Sequence, residues 1–149
     1  MATIRLPRDF RDFLSLLNAH EVEYLLVGGY AVAFHGYPRT TADMDIWVSR
    51  TDDNARKLAS VLEEFGFQDI ALASQAFTMA DQVIRMGVPP LRIELLTSIS
   101  GVEFDACYAD RIEKAIEDVR VNVLSLADLK RNKIAAGRPR DLADLAELP

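Results

Sequence analysis

The stretch that decides the fold runs Tyr24-Leu25-Leu26-Val27-Gly28-Gly29, then Tyr30 to Tyr37, then Pro38-Arg39-Thr40-Thr41-Ala42-Asp43-Met44-Asp45-Ile46-Trp47-Val48. It reads as a strand, a glycine turn, a short helix, a basic loop and a second strand carrying two carboxylates. A short apolar run ended by two glycines suits a buried strand that turns sharply into a helix. The two-residue period of the second strand puts Asp43 and Asp45 on one face, with Trp47 beside them. Met44, Ile46 and Val48 then point to the opposite face, toward the core.

Two carboxylates side by side on an otherwise apolar strand repel each other, and burying them is costly without compensation. A divalent cation relieves that cost, and hard Mg²⁺ (or Mn²⁺) prefers such oxygen ligands. A helix starting at the glycine pair offers free backbone N–H groups and a positive dipole end to a phosphate. Metal-binding carboxylates beside a phosphate cradle imply phosphoryl chemistry. Trp47 has two readings, a platform that stacks on a base or a partly buried core indole.

Upstream, Pro7 opens a helix with Phe10, Phe13, Leu14, Leu16 and Leu17 on one side. Downstream, Thr51-Asp52-Asp53 caps a helix that runs to about Phe65 and stops at Gly66, with Ala55, Leu58, Val61 and Leu62 in its apolar stripe. Gln68 to Ala80 is ambiguous and reads as a short strand plus an irregular or helical insert. Gln82–Met86 and Leu91–Leu96 read as two strands joined by the turn Gly87-Val88-Pro89-Pro90. A hairpin there sets Glu94 on a sheet face beside the Asp43 and Asp45 pair. A solvated surface glutamate is the plainer alternative.

Thr97 to Ala106 reads as a loop followed by a short helical piece, and Arg111–Ala115 and Val119–Val123 as further strands. Ser125 or Leu126 opens a helix through Ala136, with Leu126, Leu129 and Ile134 inward and Lys130, Arg131 and Lys133 outward. Arg138-Pro139-Arg140-Asp141 starts a last helix with Leu142, Leu145 and Leu148 on its inner face. The pattern predicts an α+β fold, a mixed sheet flanked by helices. At 149 residues one domain is expected, with a core over about 23–124 and C-terminal helices over about 125–148.

A formal charge of −6 argues against coating nucleic acid non-specifically. The cations that do cluster, between Lys130 and Arg140, suit an anion site or a solvated helix face. Cys107 is the single cysteine, so no internal disulfide forms, and it reads as a small buried apolar side chain. His35 reads as a packing or hydrogen-bonding residue. No apolar run reaches membrane-spanning length, and the N-terminal arginines lead into no secretory pattern, so a cytoplasmic protein without a membrane partner is expected.

Gly28-Gly29 followed by Arg39-Thr40-Thr41-Ala42-Asp43-Met44-Asp45-Ile46 resembles the signature of the nucleotidyltransferase superfamily with a polymerase-β-like fold, and Glu94 fits that family's third carboxylate. The tail from Leu124 to Leu145 is similar to a branch holding small stand-alone bacterial nucleotidyltransferases, abortive-infection toxins and antibiotic nucleotidyltransferases. Tyr30 departs from the serine many relatives carry after the glycine, and Glu94 from the commoner aspartate. The resemblance implies transfer of a nucleoside monophosphate from an NTP to an acceptor hydroxyl, releasing pyrophosphate. Asp43, Asp45 and Glu94 would be catalytic and hold Mg²⁺, while Gly28 and Gly29 let backbone approach the phosphates. Arg39 and Lys133 are the first candidates to hold the triphosphate, ahead of Lys130, Arg138 and Arg140.

The acceptor stays open among a small molecule, tRNA and a protein, and a homo-oligomer could lend part of its site. One rival keeps the fold without the chemistry, as a nucleotide- or protein-binding module in a toxin–antitoxin pair. The other is a metal-dependent phosphohydrolase using the same carboxylates.

Overall fold

The run Tyr24-Leu25-Leu26-Val27 forms β1 (Tyr24–Val27), and all four residues are buried. A strand that is apolar on both sides belongs where both faces of a sheet are covered. The carboxylate strand β2 (Asp43–Val48) lies antiparallel to it, with Tyr24 opposite Val48 and Val27 opposite Asp45. The computed structural model describes residues 5–39, 41–67, 69–87 and 91–149. Within them the other strands are β3 (Val83–Met86), β4 (Arg92–Leu96), β5 (Ile112–Ile116) and β6 (Val119–Val123).

The sheet order is β3-β4-β2-β1-β6-β5. β2 runs parallel to β4 and β1 parallel to β6, while the remaining neighbours are antiparallel. The sheet is therefore mixed, and the α+β expectation holds. As read from the strand period, Met44, Ile46 and Val48 are buried on the core side, joined by Ile93 and Leu95 of β4.

The helices among the described residues are α1 (Arg8–Ala19), α2 (Gly28–Phe34), α3 (Asp52–Phe65), α4 (Ile70–Ala76), α5 (Phe104–Ala109), α6 (Leu126–Ala136) and α7 (Pro139–Glu147). α1 buries Phe10, Phe13, Leu14 and Leu17, and α3 buries Leu58, Val61 and Leu62. Thr51 caps α3 by accepting the Asn54 N–H, and Gly66 ends it at φ +97°, a backbone state that glycine adopts without strain. The buried Asn54 side chain accepts the Glu23 N–H at 2.8 Å and donates to the carbonyls of Glu23 (3.1 Å) and Ser49 (3.0 Å). That knot pins α3 to the start of β1 and the end of β2.

Three expectations change. The ambiguous stretch before β3 is helical: α4 places Ala73 inward and Phe77 follows one turn later, so a 3.6-residue period wins and no strand forms among the described residues. Gln68, Thr40 and residues 88–90 of the expected Pro-Pro turn lie outside the described residues. β5 starts one residue later than read and turns into β6 through Glu117 and Asp118, at φ +49° and +69°. Two consecutive positive φ values are what a two-residue hairpin turn requires, here without the usual glycine.

The largest change is in the tail. Lys133, expected outward, is 4 % exposed, whereas Ile134, expected inward, is 63 % exposed. α7 likewise buries Asp141 and Asp144 and exposes Leu142. The two helices meet along a charged seam that an apolar-stripe reading does not foresee, although Leu129 and Leu148 are buried as expected.

Candidate active site

Parallel pairing of β2 with β4 sets the centre. Asp43 lies opposite Arg92, Asp45 opposite Glu94 and Trp47 opposite Leu96. Side chains at paired positions share a face, so the three expected carboxylates are brought to one patch of the sheet. Gly28 closes it from the start of α2, just past the end of β1. Its backbone sits at φ +65°, and a Cβ there would collide with the Asp45 carboxylate. A Cβ on Gly29 would come within 2.9 Å of the Thr41 side chain. The glycine pair therefore lets backbone press directly against the carboxylate strand, which no other residue permits.

The electrostatics of the patch are uncompensated at Asp45. Burial raises the Asp45 pKa, the Glu94 charge and hydrogen bond and the Asp43 charge raise it further, and Arg140 only partly opposes them, leaving it at about 7. Asp45 Oδ1 is buried with no hydrogen-bond partner among the described residues. Arg92 reaches Asp43 at 3.4 Å and Arg85 on the edge strand reaches Glu94 at 3.1 Å. Neither reaches Asp45.

A buried, unpartnered carboxylate oxygen among like charges is what a hard divalent cation would satisfy, so the donor set fits Mg²⁺. Among the described residues no three Asp, Glu, His or Cys groups converge as a ready-made cage. Asp43 and Glu94 would exchange their arginine contacts for the ion.

A cleft of about 330 Å³ adjoins the patch, lined by Gly28, Asp45, Ser100, Asn132, Lys133 and Arg138. Lys133 thus stands in the wall, but its ammonium donates to Asp141 at 3.1 Å and Asp144 at 3.0 Å. The Arg39 guanidinium grips Asp144 through two bonds, at 2.8 and 3.0 Å. Both first-choice triphosphate cations are committed to carboxylates. Arg138 also bonds Asp141, at 2.7 Å, yet its side chain is two-thirds exposed at the cleft.

Burial alone would raise the Asp144 pKa, but hydrogen bonds from Arg39 and Lys133 and their charges outweigh it and hold the carboxyl below the usual range. The same balance, with Arg138 and Lys133, lowers Asp141. The sequence marks Asp141 as a structural partner for a neighbouring arginine, and Arg138 is that partner, but it does not mark Asp144. The spacing of Asp144 from Lys133 on a second helix was the available signal.

The remaining readings resolve simply. Trp47 is 2 % exposed and meets Phe104 edge-on, with ring centres 5.1 Å apart, so it is no stacking platform. His35 Nε2 bonds the Leu124 carbonyl at 2.7 Å. Cys107 is buried, and desolvation pushes its thiol up to about 12, well above the reactive range.

These features define a nucleotidyltransferase-like α+β protein. Residues 5–148 match the family described as nucleotidyltransferase of unknown function (DUF6036), and the chain belongs to that family. Among solved structures it is similar to a candidate nucleotidyltransferase from Thermotoga maritima, with TM-score 0.61 and 15 % identity over 94 % of this chain and 89 % of that one. It is also similar to an antigenic nucleotidyltransferase-like protein from Paracoccidioides brasiliensis, with TM-score 0.53 and 17 % identity over 95 % of this chain and 76 % of that one. At such identities the likeness speaks for the fold. No curated protein matches the sequence. No helix among the described residues is long and apolar enough to cross a membrane.

Proposed function

We propose that the protein transfers a nucleoside monophosphate from an NTP to an acceptor hydroxyl and releases pyrophosphate. The observation that carries this reading is the register of β2 on β4, which sets Asp45 against Glu94 beneath the Gly28 backbone. Asp43, Asp45 and Glu94 would hold Mg²⁺ or Mn²⁺, which supplies neutralisation of the developing charge on attacking and leaving oxygens.

The chain's own groups position the rest. Gly28 and Gly29 give the phosphates close access to backbone. Arg138 and Arg140 rank ahead of Arg39 and Lys133 as contacts to the β- and γ-phosphates, because Asp144 and Asp141 hold the latter pair in the interior, whereas Arg138 stays exposed despite its own bond to Asp141. The acceptor oxygen forms its bond to the α-phosphorus as the bond to pyrophosphate breaks. Glu94, opposite Asp45 on β4, accepts the acceptor's proton or orients the hydroxyl. The acceptor class remains a small molecule, tRNA or a protein.

One observation favours the rival, a silent binding module within a toxin–antitoxin pair: Arg92 and Arg85 already neutralise Asp43 and Glu94. Calorimetric titration of each NTP with Mg²⁺ separates the two. Metal-dependent binding that disappears in the Asp43→Ala, Asp45→Ala double variant supports transfer. Binding that persists there, or no binding by the wild type, overturns it.

A further inference from the structure

The face of β2 that bears Asp43 and Asp45 continues through Trp47 to Ser49. At roughly 3.3 Å per residue, Trp47 lies about 7 Å beyond Asp45 along the strand. There a second cavity opens, of about 520 Å³, with Trp47, Ser49, Ile99, Val102 and Phe104 in its wall. Ile99 also lines the cleft at Gly28 and Asp45, so the two spaces adjoin. The volume falls in the roughly 300–1,000 Å³ range of small-molecule sites.

One polar atom in this wall is buried without a partner, and a hydroxyl beside it is unspent. The Trp47 indole N–H has no partner among the described residues. Ser49 is 2 % exposed; its peptide N–H bonds Glu23 and its carbonyl accepts from Asn54, but its hydroxyl bonds nothing among the described residues. Neighbouring hydroxyls are engaged: Thr51 accepts the Asn54 N–H, Thr97 the Gln82 N–H and Ser98 the Asp81 N–H. Buried polar groups are nearly always paired, so the orphaned Trp47 N–H beside a free Ser49 hydroxyl calls for a ligand.

The rim carries Glu103 and Asp105 against Arg50, a net negative set that repels phosphate. A wall that mixes the hydroxyls of Thr51, Thr78, Thr97 and Ser98 with the apolar faces of Trp47, Ile99 and Phe104, and that has no net attraction for anions, matches a neutral, hydrogen-bonding planar heterocycle. We propose that this cavity is a nucleobase subsite, with Trp47 Nε1 and the Ser49 hydroxyl reading the ring edge. The inference rests on the nucleotide-transfer reading above, and places the base of the donor NTP here while its phosphates lie toward Arg138.

Trp47 is the only tryptophan in the chain, so its emission reports on this cavity alone. The test compares the four NTPs with inorganic tripolyphosphate, all with Mg²⁺, by calorimetry and by Trp47 fluorescence. One NTP is expected to bind about tenfold better than the others and to change the emission, whereas tripolyphosphate binds without changing it. Ser49→Ala should weaken that NTP about tenfold, leave tripolyphosphate binding intact and not lower the melting temperature. Trp47→Phe, read by calorimetry alone, should likewise flatten the preference.

If all four NTPs bind alike, with silent fluorescence and no effect of either variant, the subsite is overturned while the transferase reading survives, and an acceptor's own ring becomes the occupant to test. If neither NTPs nor tripolyphosphate bind, both readings fall together.

Discussion

Two charged clusters lie within reach of the same cleft, and they differ in how their charges are met. Between α6 and α7, Asp141 and Asp144 receive Lys133, Arg138 and Arg39, and both carboxyls are held below their usual pKa. On β2 and β4, Asp45 faces Glu94 and Asp43, one of its oxygens has no partner among the described residues, and its pKa rises to about 7. Asp141 and Asp144 are buried, and Asp45 is partly buried with one oxygen fully enclosed. The sign of the shift separates a cluster that holds the tail in place from one that the fold tolerates at a cost. An uncompensated carboxylate in a cleft, here Asp45, marks a site that awaits a ligand.

Breaking the compensated cluster should have the largest effect. Lys133→Met leaves Asp141 and Asp144 buried with one cation fewer. Removing one partner of a buried charge network costs about 3–5 kcal/mol. Urea denaturation should show a loss of that size with the slope unchanged. A loss within experimental error would mean that Arg39 and Arg138 suffice, and that Lys133 is free to serve a phosphate as the sequence reading had it.

The same operation on the other cluster should act in the opposite direction. The Asp43→Ala, Asp45→Ala variant should lose Mg²⁺-dependent NTP binding by at least ~100-fold, about 2.7 kcal/mol. Its metal-free stability should hold or rise, because like charges have been removed. A double variant that loses binding and unfolds together would erase the contrast and make Asp43 and Asp45 structural residues.

The contrast also explains what could be read from the sequence. The carboxylate centre was legible because strand geometry is rigid: a period of two fixes Asp43, Asp45 and Trp47 on one face, and the glycine pair announces the turn. The orientation of α6 and α7 was not, because an apolar-stripe argument assumes that the inward face is apolar. Lys133 and Ile134 differ by one position, about 100° around a helix, and the buried partners that decide between them are on another helix. The roles of Arg39 and Asp144 were hidden for the same reason, since their pairing spans 105 positions of sequence. α4 stayed ambiguous because Ala73 and the following Phe77 are the buried residues of this stretch, too few to give a periodic signal.

The smallest effect expected is a difference in pH dependence. Asp45 carries a folded pKa of about 7 against an ordinary value of 3.8, so the folded state keeps a proton that the unfolded state has released. Its contribution to stability is present below the ordinary value and is lost as pH rises from about 4 toward 7. Asp141 and Asp144 have the opposite sign: their contribution is present above the ordinary value and is lost as pH falls through their lowered folded pKa values.

Melting measured with chelator at pH 5 and pH 8 isolates the first effect, since the two paired aspartates stay ionised across that interval. The wild type should lose about 1 kcal/mol more than Asp45→Asn between those pH values. Mg²⁺ with a bound NTP should abolish the difference, because a metal takes the ionised carboxylate and displaces the shared proton. Parallel curves for the two proteins in chelator would mean that Asp45 is ionised throughout, and the two clusters would then differ in geometry alone.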